Sequence, residues 1–92
     1  MDELYSVYDA KAQRFLPPFL APNEMVAMRQ MASMVMDRGS VFGMHAEDFT
    51  LFKLGGFEPV SGSITLETAP VEMVNGRVLQ VRLGLADEET PF

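Results

Sequence analysis

Pro22-Asn23-Glu24-Met25-Val26-Ala27-Met28-Arg29-Gln30-Met31-Ala32-Ser33-Met34-Val35-Met36-Asp37-Arg38-Gly39 is the stretch with a clear helical period in this 92-residue chain. Apolar Met25, Met28, Ala32 and Val35 recur at 3-4-3 spacing, and Met31 widens the stripe. Asn23 can accept hydrogen bonds from the first-turn amides, and Glu24 meets the positive end of the helix dipole. Gly39 is a natural stop. The spacing predicts one helix over about residues 23–38, between segments with strand composition.

On the N-terminal side, Leu4-Tyr5-Ser6-Val7-Tyr8 combines aromatic and β-branched types at strand length. Asp9 to Gln13 is short and polar enough for a connection, and Arg14-Phe15-Leu16 reads as the returning strand. Pro17-Pro18 removes two backbone donors, so that strand is an edge or ends there. On the C-terminal side, residues 40–48 read as a loop, and Phe49-Thr50-Leu51-Phe52-Lys53-Leu54 reads as a central strand, largely apolar on both faces. Gly55-Gly56 ends it or introduces a bulge. Ser61-Gly62-Ser63 signals a turn, Ile64-Thr65-Leu66-Glu67 a further strand, and Thr68-Ala69-Pro70 a loop. Asn75-Gly76 between Val71–Val74 and Val78–Leu83 suits a type I′ hairpin turn.

The fold expected is α+β: a mostly antiparallel sheet of four to six strands with one helix packed on one face. The order is β-β-α-β-β plus a C-terminal hairpin. Ninety-two residues hold one hydrophobic core, so residues 1–86 are expected as a single domain and 87–92 as an acidic, flexible tail. A core this small gains from self-association, and a homo-oligomer is expected.

Composition narrows the chemistry. Thirteen Asp+Glu against seven Lys+Arg give a net charge of −6. Without Asp87, Glu88 and Glu89, ten acids against seven bases leave −3, so the body is mildly acidic. That argues against histone-like duplex binding, which draws affinity from phosphate neutralisation, but leaves room for a local basic groove with stacking rings. With no cysteine, disulfides, thiol catalysis and Cys-based zinc sites are ruled out. Met1-Asp2-Glu3 is acidic where a signal peptide would be basic, and no apolar run approaches membrane-spanning length. No membrane association is expected, and the cytoplasm is the default compartment.

His45 is the one histidine, and it neighbours Glu47 and Asp48 in a turn. A carboxylate-oriented base is one reading and a locally packed turn residue is the other. No GxSxG, Walker or GxGxxG pattern is present. The expectation is a non-enzymatic protein with no cofactor and no metal. Of the eight methionines, five lie between Met25 and Met36. They either fill the core or form an adaptable binding face, with Met34 and Met36, away from the stripe's centre, as the candidate partner interface. Tyr5, Tyr8, Phe15, Phe19, Phe49 and Phe52 all fall on or beside expected strands. Tyr5, Tyr8 and Phe52 are candidate stacking rings, and Lys11, Arg14 and Lys53 candidate phosphate contacts. The alternative is that most of these rings form the core.

Two blocks carry a family resemblance. Tyr5-Ser6-Val7-Tyr8-Asp9-Ala10-Lys11-Ala12 with Phe15-Leu16-Pro17-Pro18-Phe19, and His45-Ala46-Glu47-Asp48-Phe49-Thr50-Leu51-Phe52-Lys53-Leu54-Gly55-Gly56-Phe57, resemble the small nonstructural protein of gokushovirus-type microviruses. With the intervening helix they cover residues 4–70. The resemblance implies a protein of a phage with a small, circular single-stranded DNA genome, made in the cytoplasm of the infected bacterium. It implies a role in single-stranded genome synthesis, at the switch from duplex replication to packaging, through DNA binding. Single-stranded DNA is the partner expected, with the viral replication protein a second. The competing expectation is a protein–protein adaptor or minor assembly factor that uses the Met-rich helix and acidic tail and touches no nucleic acid.

Overall fold

The helical run folds as α1 (Glu24–Met36) in the computed structural model, which describes residues 1–84. The expected tail at 87–92 lies outside the described residues. Asn23 caps the helix, its side-chain oxygen accepting from the Val26 amide at 3.0 Å. Ala27, Met31 and Val35 form the fully buried stripe, an i, i+4, i+8 row turned from the one expected. Met25 leaves the core and is 81% exposed. Val26, Met28, Ala32 and Met34 pack around the buried row, and Met36 is exposed. Five near-equivalent methionines cannot select a face by hydropathy. Ala27 can, because a methyl side chain lets the helix approach the sheet closely.

Before the helix come β1 (Asp2–Asp9), β2 (Arg14–Phe15) and β3 (Phe19–Ala21). Asp9 turns the chain by accepting from the amides of Lys11 and Ala12, at 3.0 and 3.2 Å. Pro17-Pro18 then splits the return into two short edge strands, both pairing with β1. After α1, the expected loop contains a one-turn helix, α2 (Val41–Met44), and a 3₁₀ turn at Ala46–Asp48. Two long strands follow, β4 (Phe49–Glu58) and β5 (Ser63–Asn75), and then α3 (Gly76–Arg82). The sheet is antiparallel in the order β2-β1-β4-β5, with β3 also on β1. The α+β expectation is met.

The expected C-terminal hairpin is replaced by α3. Asn75 is the helix cap, its side-chain oxygen accepting from the Arg77 amide at 2.9 Å. Its amide nitrogen donates to the Glu47 carbonyl and the Thr50 hydroxyl, at 3.1 and 3.0 Å. An Asn-Gly pair serves a cap as well as a turn, and contact with the Ala46 backbone decides between them. A Cβ on Gly76 would stand 2.5 Å from the Ala46 carbonyl oxygen and 3.1 Å from Val35 Cγ1. Leu79 then reaches the core. Buried Gln80 donates to the carbonyls of Val35 and Gly43, at 3.0 and 2.9 Å, satisfying acceptors that two helix ends leave open.

Thr68-Ala69-Pro70 lies inside β5, but the ladder does break there. Gly55 pairs with Leu66 and Lys53 with Val71, so residues 67–70 stand opposite Leu54 alone. This bulge divides the molecule. On one side, Tyr5, Val7, Phe49, Leu51 and Val74 pack beneath α1 and α3. On the other, residues 2–4, 55–58 and 63–66 form a distal arm, bordered by β3 at Glu3 and Leu4. The molecule is drawn out accordingly, 52 Å long and 25 by 22 Å across.

Candidate nucleic-acid interface

Cross-strand partners share a sheet face, so the register sorts the candidate residues into two sets. Val7 pairs with Leu51, and Leu51 with Val74, which fixes the helix-covered face. Tyr5 pairs with Lys53 on that same face. Ser6 pairs with Phe52, and Tyr8 with both Thr50 and Phe15, on the outer face.

Three rings meet on the outer face. Tyr8 and Phe15 have centroids 5.0 Å apart, Phe15 and Phe52 5.5 Å, and Tyr8 and Phe52 6.4 Å, all edge-to-face. Phe15 is 38% exposed and is the most open of the three. From the sequence, Phe15 is one of six rings that could build a stacking platform, but only Tyr5, Tyr8 and Phe52 are named as its sites. The i to i+7 spacing of Tyr8 and Phe15 across a four-residue turn was the available signal. The outer face continues through Leu4, Leu20, Phe57, Ile64 and Leu66, by the pairs Leu4–Leu20, Leu4–Gly55, Gly55–Leu66 and Phe57–Ile64.

Tyr5 has no open face. It is fully buried, stacks on Phe19 at 5.9 Å and donates its hydroxyl to Glu3. Burial and the Glu3 hydrogen bond hold its pKa well above the usual phenol range. The Tyr5 hydroxyl lowers the Glu3 pKa, which partial burial opposes and Lys53 assists. Lys53 lies 3.3 Å from Glu3 Oε2 and 3.9 Å from Glu67 Oε2. Two carboxylates therefore neutralise the cation expected to hold phosphate.

Lys11 and Arg14 lie at the β1–β2 end. Both are exposed, and neither joins an ion pair among the described residues. Arg14 pairs with Asp9, one register step from Tyr8–Phe15, and so alternates away from the ring face on its edge strand. Lys11 lines a cleft of about 270 Å³ with Asp9, Val41, His45, Asp48 and Phe49. In the same region the ligating atoms of His45, Glu47 and Asp48 come within 4.8 Å of one another, because the 3₁₀ turn puts near-consecutive side chains together.

The structure therefore joins Tyr8 and Phe52, sets Lys11 and Arg14 at the margin, and separates Tyr5 and Lys53 from them. Met34 and Met36 do not form one exposed pair, since Met34 packs against the core. A different apolar feature lies between α1 and α3. It is a groove of about 420 Å³ lined by Met25, Val26, Met28, Ala32, Leu79 and Leu83, with Arg29 beside them.

A family model described as phage ORF5 protein matches residues 2–79, from the start of β1 into α3. The chain belongs to the phage ORF5 protein family. Comparison with curated proteins and with solved structures gives no match. The expectation of a small phage protein is met at this level. The matched span of this ORF5 protein contains all three outer-face rings and both marginal cations. No helix among the described residues is long and apolar enough to cross a membrane.

Proposed function

We propose that this phage accessory protein binds single-stranded DNA stoichiometrically, during single-stranded genome synthesis of a microvirus-type phage in the host cytoplasm. The observation that carries the reading is the outer-face cluster of Tyr8, Phe15 and Phe52, with Phe15 open to solvent. Unpaired bases stack on such rings at about 1–3 kcal/mol per base, whatever their sequence. Membership of a phage family supports the setting, and the resemblance to microvirus nonstructural proteins supports the role. No bond is made or broken, and no metal or cofactor is called for.

The mechanism differs from the usual charge-led one. With Lys53 held by Glu3 and Glu67, Lys11 and Arg14, at the margin of the ring face, are the candidate cations that remain to meet phosphates. Stacking then supplies most of the affinity. For two phosphate contacts the slope of log K against log salt is about −1.4 for a single strand, shallow beside that of a basic groove. The test is fluorescence anisotropy of a labelled oligonucleotide over a salt series. Binding with a shallow slope, weakened by Phe15→Ala and by Phe52→Ala with unchanged circular dichroism, is the expected result. Absence of binding at low salt overturns the reading. It would turn attention to a protein-adaptor role, favoured by the apolar α1–α3 groove with exposed Met25.

A further inference from the structure

The two edges of the sheet are unlike. One is made of β2 and β3, two and three residues long and split by Pro17-Pro18. The other is β5, thirteen residues long, with Ser63 to Glu72 exposed throughout and no strand on its outer side among the described residues. Native edges are normally blunted by lysine, proline, bulges or shortness. The first edge has two of these devices. On β5 the bulge and Pro70 protect only residues 67–70, leaving the distal strand open.

That distal segment is also uncharged. Pro59 to Leu66 contains no Asp, Glu, Lys or Arg, and exposes Val60 (94%), Ile64 (57%) and Leu66 (69%). Ile64 and Leu66 lie on the outer face, level with Phe57 and Gly55 on β4. The arm beneath carries none of the sheet side chains of the buried core and is a marginal unit when left uncovered.

We propose that the distal part of β5 pairs antiparallel with the same segment of a second copy of this chain, about a twofold axis at Thr65. Among the described residues only one edge of each copy is open, so pairing closes at two copies instead of extending into a filament. In this register Ile64 meets Leu66 of the other copy, joining apolar side chains across the axis. Glu67 meets Ser63, so no carboxylate faces another across the new ladder, and Glu67 already has Lys53 at 3.9 Å. The contact is small, at the low end of specific interfaces, below ~1,200 Å² in total. The dimer is therefore concentration-dependent. Self-pairing explains why an uncharged, apolar edge persists on a chain of net charge −6.

The geometry has a consequence that rests on the DNA-binding reading, although the dimer itself does not. A twofold axis normal to the sheet keeps both outer faces on one side. Two Tyr8–Phe15–Phe52 clusters then look the same way from opposite ends of one continuous sheet. A single unpaired strand could engage both, and effective concentration would offset the shortage of cations in each copy.

The test uses the full chain without DNA, so that its failure is distinguishable from failure of strand binding. Sedimentation equilibrium should give a monomer–dimer system of 10.2 kDa subunits. The double variant Ile64→Lys, Leu66→Lys should be monomeric with unchanged circular dichroism. The chain has no cysteine, so Thr65→Cys should cross-link to itself on mild oxidation, directly opposed strand residues lying within disulfide reach. Val78→Cys on α3 should not cross-link. A wild-type chain that stays monomeric up to its solubility limit overturns the proposal, as does a dimer that survives the double lysine variant.

Discussion

The helix-backed end and the distal arm use one sheet in opposite ways. At the helix-backed end Val7 of β1, Leu51 of β4 and Val74 of β5 share one buried cluster with Met31 of α1 and Leu79 of α3. In the arm the same strands continue, but no helix among the described residues follows them. The turn at residues 59–62 and the β5 strand from 63 to 66 stay exposed. The bulge at Leu54 marks the change. Stability is thus concentrated at one end, while the other keeps hydrogen-bonded regularity with little burial behind it. A sheet of this kind holds its shape through the helix-backed end and is free to use the rest as surface.

Three substitutions and one titration test that division. Met31→Ala should have the largest effect, since a fully buried methionine under the helix leaves a cavity costing roughly 2–5 kcal/mol. A large drop in urea midpoint is the check, and a small one would mean that the core does not end where the burial pattern says. Gly76→Ala and Gly55→Ala form a matched pair. The added Cβ would stand 2.5 Å from the Ala46 carbonyl oxygen in the first and 2.1 Å from the Thr65 carbonyl oxygen in the second. Gly76→Ala should lower global stability by about 1–3 kcal/mol, as overpacking does. Gly55→Ala should instead speed amide exchange in residues 55–58 and 63–66, with less change in the global transition. Equal global losses would erase the boundary between core and arm.

The smallest effect concerns the acid–base cluster at that boundary. The Glu3 pKa is lowered, chiefly by the Tyr5 hydroxyl. Its contribution to stability is therefore full above the unfolded value near 4.5 and is lost as pH falls through the folded value. The Tyr5 pKa is raised, so its contribution is full below about 10 and is lost above that pH. Urea midpoints should fall modestly on both sides of this window. Glu3→Gln should remove the acidic shoulder and reduce the alkaline one to what burial of Tyr5 sustains.

Much of the helix-backed end is legible in the linear chain. Asn23 with the apolar period marks α1, the Asp9 turn joins β1 to β2, and the Phe49–Leu54 run marks β4. The face of α1 is not fully legible, because five methionines broaden the apolar side and hydropathy alone does not single out the Ala27–Met31–Val35 row that is buried. α3 escapes notice because Asn75-Gly76 has two uses, and tertiary contact with Ala46 and Val35 selects one. The ring cluster is half legible. Tyr8 and Phe52 can be proposed from alternation, while Phe15 joins them only through the register of a two-residue strand. The cancellation of Lys53 depends on Glu3, fifty positions earlier, and on β5 bringing Glu67 alongside.

Gln80 sets a lower limit on how far the polypeptide can be trimmed. Its amide nitrogen serves the Val35 and Gly43 carbonyls together, and the residue lies one position beyond the span matched by the family model. A fragment ending at Leu79 would keep the matched span yet strand the buried Val35 carbonyl and unpair the half-buried Gly43 carbonyl, a buried orphaned acceptor costing about 1–3 kcal/mol. Boundaries drawn from similarity alone would therefore stop one residue short of the side chain that locks the final helix in place.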